Sequence, residues 1–213
     1  LVGGLGMLAM LGAQTPVPST PAPAVNRKPT ILQVVTAIQA HRFPLPASGH
    51  AFLVVIINRT HGLWRALPDP WDDWIGILRN IGGRLSWRCA LGSGEPGWLP
   101  MWGQSRLGTP PEGVSRLAVP QFAPDAYGGG FHHWREDRPA FRQVGPVYIE
   151  IFKRLERRWR GPVVSRGHHN AHTTSGRDWR VTFKRGVRDW SHGCPVVVNP
   201  AEHRKNLDAG GWT

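Results

Sequence analysis

A chain of 213 residues, 40% of them hydrophobic and 19% charged, is long enough to bury one substantial core and too short for two large domains. Its 20 Pro and 26 Gly demand many turns and point to a loop-rich, mainly β architecture, and its two cysteines, Cys89 and Cys194, are too few for a disulfide framework. A net charge of +12 attracts polyanions such as nucleic acid, acidic lipid headgroups or an anionic cell wall, but no nucleic-acid-recognition motif accompanies it, so no specific nucleic acid is expected as a partner.

In chain order, residues 1–13 are apolar but too few to cross a bilayer, which takes about 20. They read as the end of a longer membrane span or of a signal h-region, and so as a tether. Residues 14–25 (QTPVPSTPAPAV) form a Pro-rich linker. The expected division is therefore an apolar segment and linker over 1–28 and a catalytic domain over 29–213, with the folded part starting after the linker. From Pro29, the spacing of Ile31, Val34, Val35 and Ile38 predicts a short amphipathic helix to about Ala40, with Thr30 as its N-cap.

Beyond Pro46 the texture changes to short apolar runs broken by Gly and Pro, at 51–57, 74–78, 85–91, 114–119, 147–152, 179–183 and 195–198. These read as strands of a β-sandwich or open barrel. Residues 152–159 (FKRLERRW) are expected to form a short basic helix, and His132-His133, just after Gly128-Gly129-Gly130, to lie in a flexible loop.

The chemistry concentrates in Trp190-Ser191-His192-Gly193-Cys194-Pro195, downstream of Gly167-His168-His169-Asn170-Ala171-His172. A thiolate attacks carbonyls far better than a thiol, and an imidazole beside it takes the proton. Gly193 permits a tight turn in which the N–H groups of Gly193 and Cys194 converge on a developing oxyanion. The valines after Pro195 read as a buried strand that holds the nucleophile at a rigid sheet edge. Either the two cysteines pair, or Cys194 stays reduced and Cys89, among apolar neighbours, is a small buried hydrophobe.

Ser191-His192-Gly193-Cys194 resembles the S/T-H-G-C signature of the L,D-transpeptidase (YkuD-like) catalytic domain. By that resemblance His172, 22 positions upstream of Cys194, takes the place of the catalytic histidine, with His169 and His168 as alternatives. The chain is also similar to a phage-associated branch of that superfamily, which ends in a W-S-[AH]-G-C motif. It carries that branch's pieces in order: Asp72-Asp73-Trp74-Ile75, Glu95-Pro96-Gly97, Gly103-Gln104, His132-His133 through Pro139-Ala140-Phe141-Arg142-Gln143, Asn170-Ala171-His172 and Trp190 to Cys194. The signature normally continues after Cys with an apolar residue and then Arg or Asn. Here Pro195 and three valines follow, so the Arg that would meet a substrate carboxylate is missing from that place, with Arg166, Arg177, Arg185 and Arg188 as substitutes.

The resemblance implies an L,D-transpeptidase-like mainly β fold and a thioester between Cys194 and a peptidoglycan stem peptide. It implies a cell-envelope, periplasmic or phage-associated location, with peptidoglycan stem peptides and anionic wall polymers as partners and no cofactor. His172 would deprotonate Cys194, and an amine or water would take the acyl group. Ser191 orients the turn or fixes the His172 tautomer, and His192 serves the turn's hydrogen bonding or acts as a second partner of the thiol. His169, His133 and Trp190 are expected along the substrate groove. His168, His169 and His172 with Cys194 would be a zinc donor set, but without a second cysteine nearby or an H-x-x-x-H spacing no metal is expected. Of the eleven tryptophans most belong to core packing, with Trp98 and Trp102 the best candidates for exposure. Asp72 and Asp73, adjacent in an extended segment, point to opposite faces and cannot flank one glycosidic bond; a turn or a salt bridge to Arg suits them better.

Overall fold

The computed structural model describes residues 5–11, 27–57, 71–104, 113–132, 135–167, 169–174 and 191–211. The expected helix is α1 (Ile31–Ala40). Thr30 Oγ1 accepts from the Gln33 N–H while the Thr30 N–H donates to Gln33 Oε1 at 2.8 Å, so two orphan donors of the first turn are satisfied reciprocally. One turn apart on the same face, Val34 and Ile38 are buried against Phe52, Val54 and Leu78.

That contact explains the uninterrupted apolar run of β2 (Ala51–Ile57). Leu53, Val55 and Ile57 point into the main core while Phe52 and Val54 point to α1, so both faces of the strand are covered and the alternation of a half-exposed strand disappears. β3 (Asp73–Ile81) and β4 (Arg84–Ser93) follow as a hairpin closed by Gly82 and Gly83, both in the left-handed region as a two-residue turn requires.

The larger sheet curls into a half-barrel. Its remaining strands are β1 (Leu5–Leu11), β6 (Gln121–His132), β7 (Arg135–Gln143), β10 (His172–Thr173) and β11 (Val196–Val197), in the order β10-β11-β4-β3-β2-β1-β6-β7. A second sheet, β5 (Val114–Leu117), β8 (Val147–Lys153) and β9 (Arg158–Ser165), lays Leu117, Val147 and Ile149 onto the same core. Helix α2 (Trp98–Met101) is one turn long. Helix α3 (Pro200–Gly210) starts at the Asn199 cap with proline in its first turn and ends at a left-handed Gly211. It inserts Leu207 into the core and donates from Asn206 Nδ2 to the Ile75 carbonyl at 3.0 Å. The protein is mainly β, as its composition and apolar runs imply.

Three expectations need correction. The apolar opening is not set apart from the fold: β1 pairs in parallel with β2 and antiparallel with β6. Seven apolar residues, too short for a membrane, are enough for a strand in the middle of a sheet. Residues 152–159 form no helix, because β8 runs to Lys153 and β9 begins at Arg158, where Phe152 pairs with Trp159 across a hairpin. Gly128 to Gly130 lie within β6, paired with β7, rather than in a loop. Helix α3 was not expected, although Asn199-Pro200 is an N-terminus signal. The run at 179–183 lies outside the described residues, and no described helix is long and apolar enough to cross a membrane.

Candidate active site

Cys194 sits in the turn that leads into β11, half-buried and reduced, as is the buried Cys89. Ser191 builds this turn. Its hydroxyl accepts from the Gly193 N–H at 2.9 Å and donates to the Cys194 carbonyl at 2.6 Å, so one side chain closes the loop around the thiol. The Ser191 carbonyl accepts from the Gly97 N–H at 2.9 Å, and the His192 carbonyl from the Ser115 N–H at 3.2 Å. Gly193 has φ +143, and a Cβ there would collide with the main chain and hydroxyl of Ser115. The glycine is therefore required both by conformation and by the close approach of β5.

His172 reaches the turn through the backbone. β10 runs parallel to β11, and the His172 N–H donates to the Pro195 carbonyl at 3.0 Å. Its ring Nδ1 lies 3.0 Å from the Thr173 carbonyl. A carbonyl only accepts, so Nδ1 carries the proton and Nε2 of the neutral ring carries the lone pair a general base needs. The tautomer is thus set by Thr173 and not by Ser191.

Asn170 ties the histidine segment to the thiol. Its main-chain N–H donates to Cys194, which favours the thiolate, yet burial dominates and pushes the Cys194 pKa up to about 12. The resting site therefore holds a thiol. Close to it lies Tyr127, fully buried, whose hydroxyl has no hydrogen-bond partner among the described residues and whose pKa is raised by burial first and by the neighbouring Cys194 second.

The sequence-separated motif pieces meet here. Phe141 and Ala171 form a two-way bridge at 2.9 Å. Gln143 donates its N–H to Asn170 Oδ1 and accepts the His169 N–H at Oε1, both at 3.0 Å. Asp73 Oδ2 accepts from Gly94 at 2.6 Å, just before the Glu95-Pro96-Gly97 segment that docks on Ser191. Asp73 thus serves a backbone turn, in line with the turn reading. The Gly103-Gln104 piece stands apart, with Gly103 against Arg154.

His169 is close by but differently engaged. Its Nε2 lies 2.7 Å from Ser115 Oγ and its Nδ1 3.2 Å from Ser165 Oγ, so its ring belongs to a hydroxyl pair rather than to a groove wall. The Gly193 N–H, expected to face an oxyanion, is committed to Ser191. His192 is half-buried, and its carbonyl ties the turn to β5 by accepting from the Ser115 N–H. His133, His168 and Trp190 lie outside the described residues. Trp102 is half-buried, edge-on to Phe152 at 5.8 Å. Arg116, beside Ser115, is bracketed by Glu95 and Glu150 at 2.7 Å each and stacked 4.0 Å over Trp159. Thr173, Ser115, Ser165 and Tyr127 were not anticipated, because each depends on contacts across the fold and none stands in a local motif.

A mainly β domain whose cysteine turn is tied through the backbone to the strand that carries His172 is the class of arrangement the geometry defines. Comparison with protein-family models, curated proteins and solved structures finds no match to this chain.

Proposed function

We propose that the protein is a cysteine-dependent acyltransferase or peptidase that modifies peptidoglycan stem peptides through a thioester on Cys194, in the manner of the L,D-transpeptidases its motifs resemble. The observation that carries this reading is the coupling of His172 to the cysteine turn, with Nδ1 fixed on Thr173 and Nε2 bearing the lone pair. In the reaction His172 takes the thiol proton as Cys194 Sγ attacks a peptide carbonyl, then returns it to the leaving amine. Water or a stem-peptide amine then attacks the thioester, and the thiol is regenerated. The Gly193 N–H helps an oxyanion only by releasing or sharing its bond to Ser191.

A noncatalytic wall-binding or virion module with the same fold is the competing reading. The observation on its side is the thiol itself, held protonated by burial with a pKa of about 12. Intact-mass analysis after incubation with purified muropeptides decides between them. An acyl adduct mapped to Cys194 and absent from Cys194→Ala is the expected result. Sacculus binding without any adduct under reducing conditions would replace the enzyme with the module.

A further inference from the structure

Three residues from two parts of the chain form a directed hydrogen-bond chain next to the cysteine turn. Ser165, at the end of β9, donates its hydroxyl to the Gly167 carbonyl at 2.9 Å. Having one proton, already given to an acceptor-only group, Ser165 Oγ must accept from His169 Nδ1, 3.2 Å away. The neutral imidazole has a single N–H, so Nε2 bears the lone pair and the Ser115 hydroxyl donates to it at 2.7 Å. The result is a hydroxyl on a base, and a base oriented by a third group, which is the constellation of an activated nucleophile. Exposure follows the same order, since His169 is buried while Ser115 is half-buried.

We propose that Ser115, His169 and Ser165 are a second acyl-transfer site, a serine esterase triad whose chemistry does not depend on Cys194. Ser115 Oγ attacks the acyl carbon of an ester as its proton passes to His169 Nε2. The bond to the alcohol oxygen breaks, and the departing oxygen takes that proton. Water then attacks the acyl-Ser115, its proton passing through His169 back to Ser115 Oγ, and a carboxylic acid is released. The substrate class follows from the parts. Ser165 is neutral and supports an imidazolium less than a carboxylate does, so the leaving group must be an alcohol rather than an amine. Gly193 packs against one side of Ser115 so closely that a Cβ on residue 193 would collide with its hydroxyl, so the substrate has to approach Ser115 Oγ from another side.

A serine-directed fluorophosphonate probe, applied to the full chain and followed by peptide mapping, tests this. The expected result is an adduct on Ser115 in both the unaltered protein and Cys194→Ala, with p-nitrophenyl acetate turnover surviving in Cys194→Ala and lost when Ser115→Ala is added to it. His169→Ala should slow labelling by about 100-fold or more. Ser165→Ala should slow it by roughly tenfold and shift its pH profile, with Ser165→Thr restoring both, because Ser165 positions the base. No adduct on Ser115 in protein that remains folded by circular dichroism, or labelling that is indifferent to His169, would overturn the triad. The Cys194→Ala arm keeps this outcome separate from failure of the thioester reading.

Discussion

The strand around Cys89 and the turn around Cys194 both hold a thiol whose pKa burial pushes up to about 12, yet they are built in opposite ways. Cys89 lies in β4 opposite Gly76 of β3, where a Cβ on the glycine would come within 2.5 Å of the Cys89 Cβ. Its environment is made by one hairpin. Cys194 is set by Ser191 from its own turn, Gly97 and Ser115 from two other segments, and Asn170 and His172 from a fourth. Similar thiol acidities thus arise from a packing site and from a polar assembly, and what separates them is the set of groups that converge, not burial.

The sharpest break between the two regions is removal of each thiol. Cys194→Ala should abolish the muropeptide adduct completely, whereas Cys89→Ala should leave it intact. Next, His172→Ala should lower the rate of adduct formation by about 10²- to 10⁴-fold, the usual contribution of a positioned base, with the melting temperature little changed. In the other region, Gly76→Ala should cost about 2–4 kcal/mol of folding stability in chemical denaturation, through overpacking against β4, while adduct formation per folded molecule stays normal. A normal melting curve for Gly76→Ala would show that the hairpin yields where the structure says it cannot.

Titration sharpens the comparison further. Both thiols have folded pKa values above the ordinary 9.0, so the folded state holds these protons more tightly. Their stabilising effect is complete below pH 9 and is lost as pH rises toward 12. At the acid end His203, packed edge-on to Phe141 with Nε2 on the Pro139 carbonyl at 3.2 Å, is pushed by burial down to about 4. The unfolded chain binds that proton first, so stability falls as pH drops from 6.5 to 4. Denaturation midpoints measured across pH should show a plateau from about 6.5 to 9, with the alkaline limb shallower in Cys89→Ala. The smallest effect should be the stability change of Cys89→Ala itself at neutral pH, about 1 kcal/mol for one lost buried sulfur.

Legibility followed the range of the interactions. The α1 N-cap at Thr30, the apolar run of β2 and the two arms of the β3–β4 hairpin are carried by neighbours within a few residues, and each was readable. β6 (QFAPDAYGGGFH) and β7 (REDRPAFRQ) carry Gly, Pro and charges in place of a strand pattern. They become strands because each finds a partner, β1 on one side of β6 and β7 on the other. β1 was misread for the complementary reason, since an apolar run looks the same whether lipid or neighbouring strands surround it.

In the site, the W-S-H-G-C string and the upstream histidines pointed to Cys194 as candidate nucleophile, to the need for glycine and to His172 as candidate base, because residue type and short spacing carry that information. Which carbonyl fixes the base, which hydroxyl holds the turn and which serine sits on His169 were decided only by tertiary structure. Ser115 and His169 are 54 residues apart, and a hydrogen bond at that separation leaves no trace in either local pattern. By itself the sequence determined a mainly β chain and a cysteine turn that needs glycine; the hydrogen bonds described around that turn were settled by tertiary contacts with β5, β10 and the segment around Gly97, since a hydrogen bond is assigned by geometry and not by residue type.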